Sequence, residues 1–136
     1  MVKWSSIALI AISIVHMIVL GADVPFEVPK WSTLNLWTFE HWRPLRSQPI
    51  DLALSGGVFW STVGSFAIPL LVLGALIFWL DRHCQAIPPF VGWCLVAWTG
   101  LASLIMAPSG FPVALAIAVV LAIGIQRKAR SAERPA

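Results

Sequence analysis

The chain has no tyrosine, two cysteines, three histidines and only 11% charged residues in 136. Each shortage removes a class of explanation. Cys84 and Cys94 form no CxxC pair, and on one helix they would stand ~15 Å apart along the axis, so a disulfide framework is excluded. With so few charged side chains and 59% hydrophobic residues, at a mean hydropathy of +0.86, the composition is outside that of soluble domains. The net charge of +3 belongs to residues flanking the apolar runs, so it reports membrane orientation and not nucleic-acid binding.

What is present is a set of apolar runs. The longest, Leu52 to Leu80, lies uncharged between Asp51 and Asp81-Arg82. As one helix of about 29 residues it would reach ~43 Å, more than the ~30 Å of a bilayer core, so it is expected to tilt, to kink at Pro69 or to begin in the headgroup layer. With three further runs it predicts an all-α membrane protein: an antiparallel four-transmembrane-helix bundle spanning 4–22, 53–80, 89–106 and 111–125. The first run also has the look of a signal peptide, but Leu20, at the small-residue position before a cleavage after Ala22, is too large for that pattern.

Between the first two spans, residues 23–52 form one aromatic-rich loop with prolines at 25, 29, 44 and 49, a spacing that forbids one long helix. Trp31, Trp37, Phe39 and Trp42 crowd it, which predicts a short helix or turn in the membrane interface or a lid over the bundle mouth. Trp4, Trp60, Trp79 and Trp93 near span ends read as an interfacial belt. After the last span, residues 126–136 are polar and basic and are expected to fray. Lys3, Arg82, Arg127, Lys128, Arg130 and Arg134 fall on one side of this topology, and Lys30, Arg43 and Arg46 with Asp23, Glu27, Glu40 and Asp51 on the other. The positive-inside rule then puts both termini in the cytoplasm of a multi-pass inner-membrane protein and turns the aromatic loop outward.

Helices in lipid associate through small residues and hydrogen bonds. Candidate stripes are Gly57, Ser61, Ser65 and Pro69; Gly110, Ala114, Ala118 and Ala122; Gly92, Thr99 and Ser103; and Ser6, Ser13 and His16. Gly74 and Gly124 are left over, as would suit a lipid-facing stripe that packs on another membrane protein.

His16 is the span residue that titrates near neutral pH, at about six residues or ~9 Å from the outer helix end. Ser61, Ser65, Thr99 and Ser103 fall at similar depth, and with Trp60 they predict a ligand-binding pocket in the outer half of the bundle. The competing reading is that His16 donates to a nearby carbonyl or hydroxyl and simply ties helices together. Serine and threonine in spans commonly bond their own preceding turn.

No carboxylate lies in a span. This leaves His16 without the orienting acid of a Ser-His-Asp triad and excludes a proton-coupled transporter of the small multidrug-resistance type. One intramembrane histidine supports neither a bis-histidine haem nor a metal centre. The sequence therefore predicts no catalytic residue, metal or cofactor, and no nucleic-acid partner. Beyond the lipid bilayer itself, the expected partner is a lipid-like or apolar small molecule, or a partner helix from another membrane protein or a second copy. The alternatives are a membrane enzyme with His16 as acid or base on a lipophilic substrate, and a structural or accessory subunit.

One resemblance follows from His16 and Gly21 late in the first run, Phe59-Trp60, Gly92-Trp93 and the turn Met106-Ala107-Pro108-Ser109-Gly110-Phe111. Over nearly its whole length the chain resembles a family of small bacterial four-helix integral membrane proteins known only as a domain of unknown function. Ala107 and Pro112 depart from that family's turn. The resemblance implies four helices in a bacterial inner membrane, and no activity or site. The turn itself predicts Pro108 as a helix stop, Gly110 in the left-handed conformation and Pro112 in the first turn of the last helix.

Overall fold

A computed structural model describes residues 1–107 and 109–132. These residues are all-helical, with no strand among them. The helices are α1 (Val2–Leu20), α2 (Val24–Ser32), α3 (Ile50–Ser61), α4 (Ala67–Arg82), α5 (Pro89–Ile105) and α6 (Phe111–Ala132). Short 3₁₀ turns lie at Gly21–Asp23, Phe39–Trp42 and Leu45–Ser47. The chain folds as two compact units, Met1–Ile12 with Leu70–Ala136, and Ser13–Pro69. Among the described residues, two helices are long and apolar enough to cross a membrane: the continuous run Val2–Ser32 and α6, while α5 is apolar but shorter.

The first unit is held by small residues at close approach. A Cβ on Gly92 of α5 would stand 2.6 Å from the Ala122 Cα of α6, a separation no real side chain tolerates. One on Gly74 of α4 would meet the Ile10 side chain at 3.0 Å and the Ser6 carbonyl oxygen at 3.2 Å on α1. At Gly124 the neighbours are Met1 and Val2, at 3.1 and 3.2 Å. Gly74 and Gly124 are thus packing contacts within this unit, not the leftover stripe expected for a partner. The stripe Ala114, Ala118 and Ala122 is buried as expected, along with Gly92, Thr99 and Ser6, whereas Gly110 at its end is exposed. A salt bridge of 2.9 Å between Lys128 and Asp81 joins the C-terminal parts of α6 and α4.

Four expectations are corrected. The run 53–80 is not one kinked helix: α3 stops at Ser61 and α4 starts at Ala67. Proline lacks an N–H and its ring clashes with the carbonyl four residues earlier, so Pro69 disfavours a helix that continues through Ser65. The break falls upstream, and Pro69 sits in the first turn of α4, where its missing N–H costs nothing. Ser65 completes the restart by accepting the Ala67 N–H at 3.2 Å, as an N-capping hydroxyl does. With the helical phase interrupted, the proposed stripe fails at both ends: Gly57 and Pro69 are exposed, while Ser55, Thr62 and Ser65 are buried.

Within the connection 23–52, where a short helix or turn is expected, α2 covers Val24–Ser32, with Pro25 at a first-turn position that needs no N–H, and a 3₁₀ turn covers Phe39–Trp42. Helix α6 continues to Ala132 instead of fraying after Ile125; residues 133–136 of the tail, and the Pro108 helix stop, lie outside the described residues. Gly110 is not left-handed, since no described glycine has a positive φ. That conformation is taken by Leu34 (φ 61°) and Cys84 (φ 54°). Each follows a helix end closed by a pair of reversed hydrogen bonds, Asn35 N–H to Lys30 O with Leu34 N–H to Trp31 O, and Gln85 N–H to Leu80 O with Cys84 N–H to Asp81 O. Glycine is the usual residue at such a closure. Pro112 does lie in the first turn of α6.

Candidate functional site

The residues Ser13–Pro69 hold both the histidine singled out from the sequence and a cavity that the sequence did not reveal. Ending α3 at Ser61 leaves carbonyl oxygens with no N–H four residues on. The Phe59 carbonyl accepts from Thr62 and Gly64 N–H at 3.2 and 2.8 Å, and the Val58 carbonyl from the Thr62 and Ser61 hydroxyls at 2.6 and 3.1 Å. The Ser61 carbonyl oxygen lies 3.1 Å from His16 Nε2. A protonated Nε2 donates there, so the imidazole closes the broken helix end. Its ring leans on Phe66 at 5.0 Å between centroids, and Ser65 Oγ donates to Met17 Sδ at 3.9 Å.

The structure therefore brings His16 together with Ser61, through the backbone of Ser61 and not its hydroxyl. Thr99 and Ser103 belong to the other unit and bond their own helix, Thr99 Oγ1 to Leu95 O at 2.6 Å and Ser103 Oγ to Thr99 O at 2.7 Å. These hydroxyls are satisfied locally.

The cavity has a volume of about 360 Å³ and lies between the 31–41 segment and α3. Trp31, Trp37, Phe59 and Trp60 supply aromatic walls, with Gly56 and Val63 on the α3 side. Of the six residues expected at a site, Trp60 alone lines it. Phe59 meets both Trp31 and Trp60 edge to face, at centroid distances of 6.1 and 5.2 Å, an arrangement that fixes ring directions. Gly56 needs no special backbone angle. A Cβ there would meet nothing within 4 Å.

A polar knot anchors the Trp31 wall. Ser55, fully buried on α3, accepts from Trp31 Nε1 at 3.0 Å and from Asn35 Nδ2 at 3.2 Å. Its hydroxyl also interacts with the buried Glu27 carboxylate, which holds Lys30 at 2.6 Å through Oε1. The Glu27 Oε2 and Asn35 Oδ1 oxygens are buried without a hydrogen-bond partner.

Comparison with known proteins adds nothing to this geometry: no family model, curated protein or solved structure matches the chain. Among the described residues no group of three or more histidine, cysteine or acidic side chains is placed to hold a metal ion. What the arrangement offers is an open, aromatic-lined cleft, with Trp37 and Trp60 largely exposed at its edge. Four aromatic side chains around a space of this size suit a small apolar molecule or part of a larger one. The sequence missed it because Trp31 and Trp37 read as an interfacial segment or lid and Trp60 as part of the interfacial belt, while Gly56 lies about 20 residues further along the chain. The available signal was Gly56 in an otherwise aromatic-flanked helix, which marks a place where bulk is left out.

Proposed function

We propose that the protein is a multi-pass protein of a bacterial inner membrane that binds a small apolar or lipid-like molecule in the aromatic cavity of residues 31–63. The observation that carries the binding reading is the cavity itself, walled by Trp31, Trp37, Phe59 and Trp60. Large apolar side chains left exposed support the membrane placement: Ile14, Ile18 and Val19 on α1, Val72 and Leu76 on α4, Leu101, Leu104 and Ile105 on α5. Facing hydrocarbon, such surfaces are at no cost. Trp37, Phe39 and Trp42 are more than three-quarters exposed, which suits rings lodged at the headgroup level. The count of cations, with Lys3, Arg82, Arg127, Lys128 and Arg130 in the segments assigned to one side of the four-span topology against Lys30, Arg43 and Arg46 in the loop, supports cytoplasmic termini. In this reading the cavity opens on the outer side, and His16 works as a tie beneath it, not as an acid or base.

The test uses Gly56→Leu, which fills the cavity from its α3 wall into open space. Wild type and variant are taken gently from the membrane and weighed by native mass spectrometry. A small molecule retained by wild type and lost in Gly56→Leu is expected. Equal retention would place the molecule elsewhere, and bare protein in both spectra would end the binding reading.

A further inference from the structure

Resting on that reading, we infer that the occupant of the aromatic cavity presents an alkylammonium head to the rings of Trp31, Trp37 and Trp60. Indole has the most negative π face of the natural side chains and attracts a cation within about 6 Å of its centre, modestly at exposed rings such as Trp37 and Trp60 and more strongly where the cation is desolvated. A purely apolar occupant would be held as well by aliphatic walls, yet here three indoles and one phenyl ring line the same space. The Trp31 ring is further polarised, since its N–H donates to Ser55, whose hydroxyl interacts with the Glu27 carboxylate.

Charge in the unit points the same way. Lys30 and Arg43 are already paired with Glu27 and Glu40, at 2.6 and 2.8 Å. That leaves Asp23 and Asp51 against Arg46. A cation meets no competing ammonium or guanidinium on the cavity wall, whose remaining polar member is His41. The same head occurs on a free quaternary amine and on a choline-type lipid, and the chemistry of recognition is common to both.

Tryptophan emission of the purified full chain in uncharged detergent reads the outcome. Four probes are titrated: choline, its uncharged carbon isostere 3,3-dimethylbutan-1-ol, a short-chain phosphatidylcholine and the matching phosphatidylglycerol. The expected result is saturable binding of a quaternary probe with an affinity on the order of tenfold above its uncharged or anionic counterpart. Saturation by choline itself identifies a free amine as sufficient; saturation by the phosphatidylcholine alone identifies a lipid head. Trp60→Leu, at a position two-thirds exposed, keeps apolar bulk while removing one π face. It should weaken the quaternary probe and leave the alcohol unchanged. If 3,3-dimethylbutan-1-ol binds as tightly as choline and both are lost in Gly56→Leu, the ammonium inference is overturned while the cavity reading stands. A quaternary response that persists in Gly56→Leu comes from another place and also overturns it. No saturation by any probe, with no molecule retained in native mass spectrometry, removes both.

Discussion

The two units are built on opposite solutions to the same packing problem. In Met1–Ile12 with Leu70–Ala136, Gly74, Gly92, Gly124 and a run of alanines let backbones approach closely, and aliphatic side chains such as Leu9, Ile77 and Leu121 fill the rest of the interior. In Ser13–Pro69 the large rings do not fill the space. Phe59 touches Trp31 and Trp60 edge to face, Trp31 is anchored on Ser55, and a cavity remains between the 31–41 segment and α3. Close packing of small residues is the expected glue between helices where hydrophobic burial offers no gain. A frame of specific polar contacts around a hollow gives up that glue, which is reasonable only where the hollow is used.

The contrast can be broken most severely in the first unit. Gly92→Leu drives side-chain atoms into the Ala122 backbone, and a loss of about 3 kcal/mol or more is expected as a large fall in detergent melting temperature. A variant that melts like wild type would mean that α5 and α6 are not in this close contact. Next comes Ser55→Ala, which strands the Trp31 and Asn35 donors and should cost about 2 kcal/mol. Hydrogen exchange should locate that loss in residues 24–61; uniform loosening of both units would contradict the division. His16→Ala uncovers the Ser61 carbonyl, for about 1 kcal/mol, with faster amide exchange confined to 62–66. Protection unchanged there would show that another group closes the helix end. Smallest is a gain: Leu34→Gly and Cys84→Gly each remove a left-handed side-chain penalty and should stabilise by about 0.5–1 kcal/mol. Since one lies in each unit, the pair measures whether the units melt together, for then both gains appear in a single transition.

How much of this could be read from residues alone differs between the units. Gly92 and the Ala114, Ala118, Ala122 stripe obey helical spacing, so the packing faces of α5 and α6 were legible. Those faces need only a regular helix to stay in phase. The stripe through Gly57 and Pro69 was drawn across a helix that does not exist as one piece, and a single proline's steric demand on Ser65 shifted every residue beyond it. His16 was legible as a residue needing a partner, but the partner is a carbonyl that becomes available only once α3 stops. The cavity depended on Trp31 turning back onto α3 through Ser55, a contact between positions 24 residues apart that no spacing rule encodes. Leu34 and Cys84 stand where glycine would be expected; this hid the end of α2, whereas the polar run from Asp81 still marked the end of α4 within two residues.

The break between α3 and α4 also bears on the order in which the protein assembles. The stop imposed by Pro69 and the restart provided by Ser65 are both written inside the stretch 61–69. Neither needs α1, α5 or α6 to be in place. A peptide of residues 50–82 in micelles would already carry two helices, and the Ser61 carbonyl would be open from the outset. The histidine then meets a carbonyl that the local sequence already leaves open, so the contact from α1 closes the break and does not cause it.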